Sequence, residues 1–286
     1  MAEVSLVGGY RFDLEDKAAL NAMCVEAEML MLGDLPSRVD PRKSPLATQG
    51  WLRVENQGQI GSCQGQSLTE CLEYCHAIVN PNAVMQYSRM YAYLVSQMEN
   101  NIQTDSGSTL EGGTRAAKKG ICREEIAPYP TSSYPGWRWV TQSMKDDAKK
   151  HRLESVVEMK SAEQIKQFIG SGVGIVQIGI AWGNAMNPDS KGCIRSFSPG
   201  GGGHAVVFAG YVTDADVGVQ SSAGWWLLLK NSWGSRWGAN GYAYVDPRAC
   251  DQMLRHQWTS MYGRSDLVAP RVRPLPVDWT KESLLG

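Results

Sequence analysis

A cysteine within a Gln- and Gly-rich stretch is the first candidate for chemistry in this sequence. Cys63 lies in NQGQIGSCQGQSL, at the start of a segment with helical spacing of its apolar residues. A helix N-terminus favours the thiolate, which is the nucleophilic form of cysteine. A free cysteine is also often a small buried hydrophobic residue. Cys63 is therefore a candidate nucleophile that needs a base.

A histidine and an asparagine later in the chain could supply that base and its orienting partner. Among the 4 histidines, His204 follows the run GGGG and begins the apolar run AVVFAGY. Glycines beside a general base let a substrate approach closely. Asn231 follows the apolar segment WWLLLK and precedes Trp233, which could shield a contact between His204 and Asn231. The alternatives are a surface histidine and a turn residue at a strand end.

Composition excludes several other classes of function. The net charge of −1 and the absence of a basic block argue against binding to nucleic acid or an anionic membrane. No segment has the length of apolar sequence that a membrane span needs, and the first residues are a poor signal peptide. The 7 cysteines are an odd number without a disulfide framework, so we expect a cytoplasmic, reducing location.

A metal site is the alternative use of two of these cysteines. Cys71 and Cys75 are one helical turn apart, and His76 follows. Cys71 falls on the apolar stripe of the predicted helix, and no second cysteine pair completes a zinc site. We therefore predict neither a metal nor an organic cofactor.

The pattern of predicted elements changes halfway along the chain. The first half is mostly helical and the second half mostly β, which predicts an α+β fold. Helices are predicted over residues 13–32, 65–79, 87–98, 108–120 and 161–170, the last two from capping-box spacings at Ser108/Glu111 and Ser161/Gln164. Strands are predicted over residues 173–180, 204–212, 225–230 and 241–245.

Proline-rich sequence suggests where the main domain begins and ends. We place an N-terminal helical segment at residues 1–35, the main domain at 36–262 and a Pro-rich tail at 263–286. The helix in the first segment has three interpretations: an inhibitory pro-segment over a cleft, an element docked on the domain, or a contact for a partner. A contact for a partner would suit a chain held in a larger assembly such as a virus particle. The location would then be virion-associated.

Three segments, in their order along the chain, resemble the active-site motifs of papain-like cysteine peptidases. These are NQGQIGSC, GGHAVVFAGY and KNSWGSRWGANGY. In that family the His and Asn follow the Cys by about 130–150 residues. His204 lies in this interval, and Asn231 lies beyond it because TDADVGVQSSAG lengthens the intervening loop. The resemblance implies a two-lobed fold, a helical lobe and an antiparallel β-rich lobe with the active-site cleft between them.

The resemblance also implies a role for each matching residue. Cys63 would be the nucleophile, His204 its base, and Asn231 the residue that orients the imidazole. Gln57 would donate a hydrogen bond to the oxyanion together with the backbone N–H of Cys63. Trp233 would cover the contact between His204 and Asn231 and line the leaving-group side of the cleft.

Other positions match the family less closely. Gly112 and Gly113 correspond to paired glycines that bind an extended substrate, unless they are simply glycines in a helix. Gly203 stands where relatives often have Asn or Asp beside the scissile bond. Ile60 replaces a disulfide cysteine of secreted relatives, and Gln64 replaces an aromatic residue.

These observations predict a cysteine endopeptidase that acts on protein or peptide substrates through a thioester acyl-enzyme. Two alternatives use the same three residues for transamidation or for cleavage of a peptidoglycan amide. A third is a papain-like module retained for binding or architecture in a larger assembly. The four intact residues Cys63, His204, Asn231 and Gln57 favour an enzyme, because a binding role alone would not require all of them.

Overall fold

The computed structural model describes residues 8–24, 35–44, 47, 50–130, 133–153 and 155–265 of the chain. In these residues the helices are α1 Lys17–Ala22, α2 Cys63–Val79, α3 Arg89–Glu99, α4 Leu110–Lys119, α5 Gln142–Ala148, α6 Ala162–Gly170, α7 Asp214–Val217 and α8 Pro247–Leu254. The strands are β1 Ser155–Glu158, β2 Ile175–Trp182, β3 Cys193–Ile194, β4 Gly202–Thr213, β5 Trp225–Lys230, β6 Tyr242–Val245 and β7 Ser260–Ser265. Short 3₁₀ helices lie at Pro41–Lys43, Trp137–Trp139 and Asn184–Met186.

The strands of the second half form one mixed sheet. Its order is β1-β7-β2-β4-β5-β6-β3, and the short β3 is parallel to β6 whereas the other neighbouring pairs are antiparallel. The long strands β2 and β4 pair from Val176 with Phe208 to Trp182 with Gly202. This register places His204 opposite Ile180, near the start of β4. One face of the sheet packs on α6 and α8 around an apolar core.

The helices of the first half enclose a second core. Helices α2, α3 and α4 pack together with α5 around Leu68, Leu72, Tyr91, Ile121 and Leu153, all buried. This core and the core between the sheet and α6 are separate, so the chain forms a helical lobe and a β-rich lobe.

Helix α2 lies at the boundary between the two lobes and is buried along most of its length. One side packs on α3, where a Cβ added to Gly65 would lie 2.6 Å from the carbonyl oxygen of Arg89. The other side packs on β2, β4 and β7. Because glycine lets the two helix backbones approach, α2 fits between α3 and the sheet.

Most of the predicted elements are present. The helices expected over residues 65–79, 87–98 and 161–170 correspond to α2, α3 and α6, and Ser161 caps α6 as expected. The four predicted strands correspond to β2, β4, β5 and β6. Strands β1, β3 and β7 were not predicted, because they are short or lack alternation of apolar and polar residues.

The structure differs from the expected bounds near the ends of three segments. The cap of α4 is Thr109, whose hydroxyl accepts from Gly112 N–H at 2.9 Å, because the hydroxyl of Ser108 donates instead to Gln64 Oε1. Of the helix expected over residues 13–32, the structure has Lys17–Ala22, and residues 25–34 lie outside the described residues. Strand β7 continues to Ser265, past the predicted start of the tail at residue 263.

The part of the chain that the structure describes contains no helix with the length and apolar character needed to cross a membrane.

The close packing of α2 on α3 predicts the effect of one added methyl group. Gly65→Ala should lower the free energy of unfolding by about 1–3 kcal/mol, although alanine is the better helix former, because the new Cβ meets backbone atoms of α3. Urea denaturation measures this change. Ser143→Ala on the exposed face of α5 is the control and should change stability by less than about 0.5 kcal/mol. Equal stability of the Gly65→Ala and wild-type chains would contradict the tight contact.

Candidate active site

The thiol of Cys63 lies at the first position of α2, where the helical lobe meets strand β4. Its side chain is 0% exposed. The N–H of Ala205, next to His204 in β4, donates to Cys63 Sγ at 3.3 Å. Ser62 is the N-cap of α2, so the helix begins at Cys63. The N–H groups of this first turn have no acceptor within the helix. The thiol therefore contacts the backbone of the residue that follows His204, at the junction of the two lobes.

A hydrogen bond to Asn231 orients the imidazole of His204. The Oδ1 of Asn231 accepts from the N–H of Ser232 at 2.8 Å, which identifies this atom as the oxygen of the amide. The same oxygen lies 2.8 Å from His204 Nε2. Because Oδ1 can only accept, Nε2 carries the hydrogen and Nδ1 is the basic nitrogen. Nδ1 is buried and has no hydrogen-bond partner among the described residues, so it is free to take a proton.

Two tryptophan rings enclose this imidazole. Trp233 stacks on His204 with ring centroids 4.3 Å apart and an interplanar angle of 21°. Trp182, the last residue of β2, meets His204 edge to face at 4.9 Å and 85°. The sequence analysis proposed Trp233 but not Trp182, which follows the predicted strand and carries no acid–base group. Both rings keep water away from the bond between His204 and Asn231.

The amide of Gln57 is held in place by contacts to both sides of its side chain. Its Oε1 accepts from the hydroxyl of Ser232 at 2.7 Å, and its Nε2 donates to the carbonyl of Ile60 at 3.0 Å. One of the two Nε2 hydrogens therefore remains available for another acceptor. Ser232 was also missed from sequence, although it lies between Asn231 and Trp233. A serine at this position gives no sign in the sequence that its hydroxyl will contact Gln57.

The N-terminal segment passes directly over the thiol. Residues 8–16, here called the strap, run between the start of β4 and the segment before α4. Tyr10 N–H donates to the carbonyl of Gly203 at 3.1 Å, and Ser108 N–H donates to the carbonyl of Gly9 at 3.0 Å. A Cβ on Gly9 would lie 3.0 Å from Cys63 Sγ and 2.1 Å from the carbonyl oxygen of Gly61. Only glycine fits the strap at this point.

Further contacts hold the strap on both lobes. The carboxylate of Glu15 accepts from the N–H groups of Leu110 and Glu111 at the start of α4, each at 2.8 Å. The ring of Phe12 stacks on Trp258 with centroids 4.8 Å apart. The strap therefore closes the cleft with backbone hydrogen bonds, side-chain-to-backbone hydrogen bonds and an aromatic contact.

Burial changes the acid–base behaviour of Cys63 and His204. Loss of solvation raises the pKa of the Cys63 thiol to about 12, although the N–H groups of Ala205 and Gly9 oppose this change. Loss of solvation also lowers the pKa of His204 to about 4, against the effect of its bond to Asn231. Burial therefore disfavours the charged forms of both the thiol and the imidazole.

The glycines proposed for substrate binding lie in different surroundings. Gly203 is at the cleft and contacts the strap. Gly112 and Gly113 lie within α4, where an added Cβ would meet Asn100 and Ser96 or the side chain of Gln64. The structure does not bring these two glycines to the strap. The backbone that pairs with the strap is that of Ser108, a position that sequence analysis treated only as a helix cap.

None of the seven cysteines forms a disulfide, and Cys71 and Cys75 are buried. Among the residues that the structure describes, no three His, Cys, Asp or Glu side chains are grouped as a metal site would require. The Sγ of Cys75 donates to the carbonyl of Arg264.

The fold is that of papain-like cysteine proteases. The solved structure of xylellain, a cysteine protease from Xylella fastidiosa, matches with a TM-score of 0.63 and 19% identity, covering 93% of this chain and 94% of that one. This likeness establishes the α+β, two-lobed fold that the sequence predicted.

The chain belongs to the papain family of cysteine proteases. The family model matches residues 35–258. A peptidase C1-like protein of Acanthamoeba polyphaga mimivirus is 27% identical over 71% of this chain and 67% of its own length. Procathepsin L of Mus musculus is 28% identical over 84% of this chain and 67% of its own length. The chain spans about two thirds of these curated relatives, and its family membership identifies it as a peptidase.

Displacement of the strap should make the thiol of Cys63, which is buried in the closed form, accessible to an alkylating reagent. Gly9→Val cannot fit between Gly61 and Cys63, so we expect iodoacetamide to alkylate Cys63 at pH 7 at least tenfold faster than in the wild-type chain. Intact mass and peptide mapping measure the rate at this residue. Leu14→Val, an exposed substitution on the same strap, should leave the rate unchanged.

A second pair of variants tests the same contact from the other side. A Cβ on Gly203 would lie 1.8 Å from the carbonyl oxygen of Tyr10, whereas one on Gly201 meets nothing within 4 Å. Gly203→Ala should therefore accelerate alkylation and Gly201→Ala should not. Equal rates in all four variants would show that the strap does not control access to Cys63.

Proposed function

We propose that the chain is a cysteine endopeptidase in which Cys63, His204 and Asn231 cleave peptide bonds through a thioester. The observation that carries this proposal is the hydrogen bond from the N–H of Ala205 to Cys63 Sγ, which places the thiol against the residue next to His204, whose Nδ1 is free of hydrogen bonds among the described residues. The side chain of Gln57, held with one hydrogen available, supports the same assignment.

The reaction follows from the positions of these groups. His204 Nδ1 takes the proton of the Cys63 thiol, and the thiolate attacks the carbonyl carbon of the scissile bond. Gln57 Nε2–H and the N–H of Cys63 donate to the oxyanion. The imidazolium then protonates the leaving amine and the C–N bond breaks, leaving a thioester on Cys63. Water, deprotonated by His204, attacks the thioester and releases the acid and the thiol.

The strap supports an extended peptide as the substrate. Its backbone hydrogen-bonds to Ser108 in the helical lobe and to Gly203 in the β-rich lobe, so the cleft can bind extended polypeptide through main-chain groups. Transamidation and peptidoglycan cleavage are the alternatives that would use the same three residues. The product distinguishes them, because hydrolysis yields a new carboxylate and transfer to an amine yields a cross-link.

We also propose that the strap acts as an inhibitory segment, the first of the three interpretations of the N-terminal region. It covers the thiol, and burial in the closed cleft raises the pKa of Cys63 and lowers that of His204, which disfavours both charged forms. Cleavage within the strap, or its displacement, would allow the ion pair to form because solvent and substrate dipoles could then reach both groups.

For location, we propose a reducing compartment such as the cytoplasm, because none of the seven cysteines forms a disulfide. Association with a larger assembly such as a virus particle stays a second proposal; one of the similar proteins is encoded by a virus, Acanthamoeba polyphaga mimivirus. Light scattering on the purified chain tests whether it assembles on its own.

Variants of the site should separate the proposed roles. In the Gly9→Val chain, Cys63→Ala should abolish hydrolysis of a fluorogenic peptide, and Gln57→Ala should lower kcat by about 10²–10³-fold because it removes one oxyanion donor. The KM should change little, since the oxyanion forms only in the transition state.

Gln103→Ala is the matched control, because this glutamine is exposed and lies in a loop of the helical lobe. Its kcat should equal that of the Gly9→Val chain. If the Gly9→Val chain alkylates rapidly at Cys63 yet hydrolyses no peptide, the chain is a binding or structural module and the peptidase proposal is wrong.

A further inference from the structure

The serine at the start of helix α2 does not cap the helix with its side chain. Serine is a preferred N-cap residue because its hydroxyl accepts from an N–H of the first turn, at the second or third helical position. Ser62 is the N-cap of α2, but in this fully described helix its hydroxyl accepts no such bond. Its backbone, at φ −92° and ψ 14°, also differs from the extended conformation that is typical of an N-cap. A group outside the helix therefore holds this hydroxyl.

That group is the hydroxyl of Tyr129. Ser62 Oγ lies 2.6 Å from the oxygen of the phenol, and the phenol donates to the carbonyl of Gln57 at 2.9 Å. Because a phenol has one hydrogen, the hydrogen between the two hydroxyls comes from Ser62. The Nε2 of Gln66 donates to Ser62 Oγ at 3.4 Å. Ser62 is 0% exposed, so Tyr129 sets the direction of its O–H without competition from solvent.

Packing fixes the position of Tyr129 itself. The residue lies in the connection between α4 and α5, and its ring packs on a cluster of the helical lobe that contains Ile60. Its N–H donates to the carboxylate of Glu124 at 2.8 Å. Burial raises the pKa of the phenol to about 12, although contacts with two polar side chains oppose this change. The phenol therefore stays neutral near pH 7 and keeps its hydrogen for Gln57.

The N–H groups that Ser62 leaves free act on the thiol. Cys63 is the first residue of α2, and Gln64 is the second, a position whose N–H a capping serine binds. Burial raises the pKa of the Cys63 thiol, whereas backbone N–H groups lower it, and these include the N–H groups of Gln64 and of Cys63 itself. A serine that capped the helix would compete with the sulfur for these hydrogens.

We propose that Tyr129 is a positioning residue for the thiol: it holds the hydroxyl of Ser62 away from α2, so that the N–H groups of the first turn remain directed at the sulfur of Cys63. The same phenol binds the carbonyl of Gln57, so one oxygen atom contacts both ends of the segment that leads to the thiol. The consequence for catalysis rests on the proposed peptidase function, whereas the effect on the thiol does not.

The first experiment measures the thiol and needs no peptidase activity. In the full-length Gly9→Val chain, the rate at which iodoacetamide alkylates Cys63 is followed by intact mass and peptide mapping from about pH 4 to pH 9, and the midpoint of this curve gives the pKa of the thiol. Tyr129→Phe removes one oxygen and keeps the packed ring. Ser62 can then cap α2, so we expect the midpoint to rise by about one pH unit. An unchanged midpoint would overturn the proposal.

Removal of the serine hydroxyl should reverse this change. In the double variant Ser62→Ala/Tyr129→Phe no hydroxyl can cap the helix, so the midpoint should return to that of the Gly9→Val chain. Ser62→Ala alone should also leave the midpoint in place. If Tyr129 only supports packing, the double variant is at least as impaired as Tyr129→Phe, and that result would overturn the role of Ser62. Recovery in the double variant also excludes misfolding as the cause.

A tyrosine in the other lobe provides the matched control. Tyr244 lies in β6, and its hydroxyl accepts from Arg42 at 3.1 Å. Tyr244→Phe in the Gly9→Val chain removes a bonded phenol hydroxyl as Tyr129→Phe does, but it should leave the midpoint unchanged. An equal rise in both variants would show that the change at Tyr129 is not specific.

The second experiment tests the consequence for catalysis. The acid limb of kcat/KM against pH reports ionisation in the free enzyme, so it should move with the alkylation midpoint. With a fluorogenic peptide, the limb should rise by about one pH unit in Tyr129→Phe and return in the double variant. A limb that stays in place while the alkylation midpoint moves would overturn the catalytic role of Tyr129.

Failure of the peptidase function has a different signature. In that case the Gly9→Val chain cleaves no peptide, although alkylation of Cys63 still gives a midpoint for each variant. Those midpoints then decide by themselves whether Tyr129 acts on the thiol through Ser62.

Discussion

The burial of helix α2 between α3 and the sheet is the constraint on which the site depends. Hydrogen bonds and an ion pair fix this helix on the β-rich lobe: Gln177 Nε2 donates to Ser67 Oγ at 2.9 Å, and the ammonium of Lys230 pairs with the carboxylate of Glu70. Both members of the ion pair are buried. Removing one partner of such a pair typically costs about 3–5 kcal/mol, so these contacts hold the two lobes in one relative position.

That fixed position brings a helix start and a strand start together. The thiol is at the first residue of α2, and the imidazole is at the third residue of β4, with the N–H of Ala205 directed at the sulfur. Neither group is held by a covalent link or a metal in the described residues. Packing alone therefore sets the geometry of the reacting groups, and the tryptophans around His204 maintain it by excluding water.

With the strap in place, the same low-polarity surroundings favour the neutral forms of Cys63 and His204. Catalysis by a cysteine and a histidine requires that both ions be stabilised, whereas the closed cleft stabilises both neutral forms. Gly9 of the strap lies against the thiol, and the buried side chain of Tyr10 packs beside it. Its backbone forms a parallel bridge with Ser108, so the strap occupies the cleft through main-chain hydrogen bonds.

Local sequence predicted much of the fold. Helical spacing in α2, α3 and α6 and the apolar runs of β2, β4 and β5 are strong signals, since each element buries one face or both faces. The short strands β1, β3 and β7 depend on their partners in the sheet and give no comparable signal. The cap of α4 was misplaced by one residue, because Ser108 is used by Gln64 and by the strap.

The sequence by itself determined the chemistry that this chain carries: a thiol at a helix start, a histidine after glycines, and an asparagine and a glutamine with the spacing of one family. Tertiary structure alone decided what surrounds them. Trp182 lies beside His204 only because β2 pairs with β4, and Ser260 meets Tyr10 only because β7 pairs with β2. Such contacts join residues far apart in the chain, and no local pattern of residue types records them. The state of the thiol was decided in the same way, because its pKa depends on the strap that buries it.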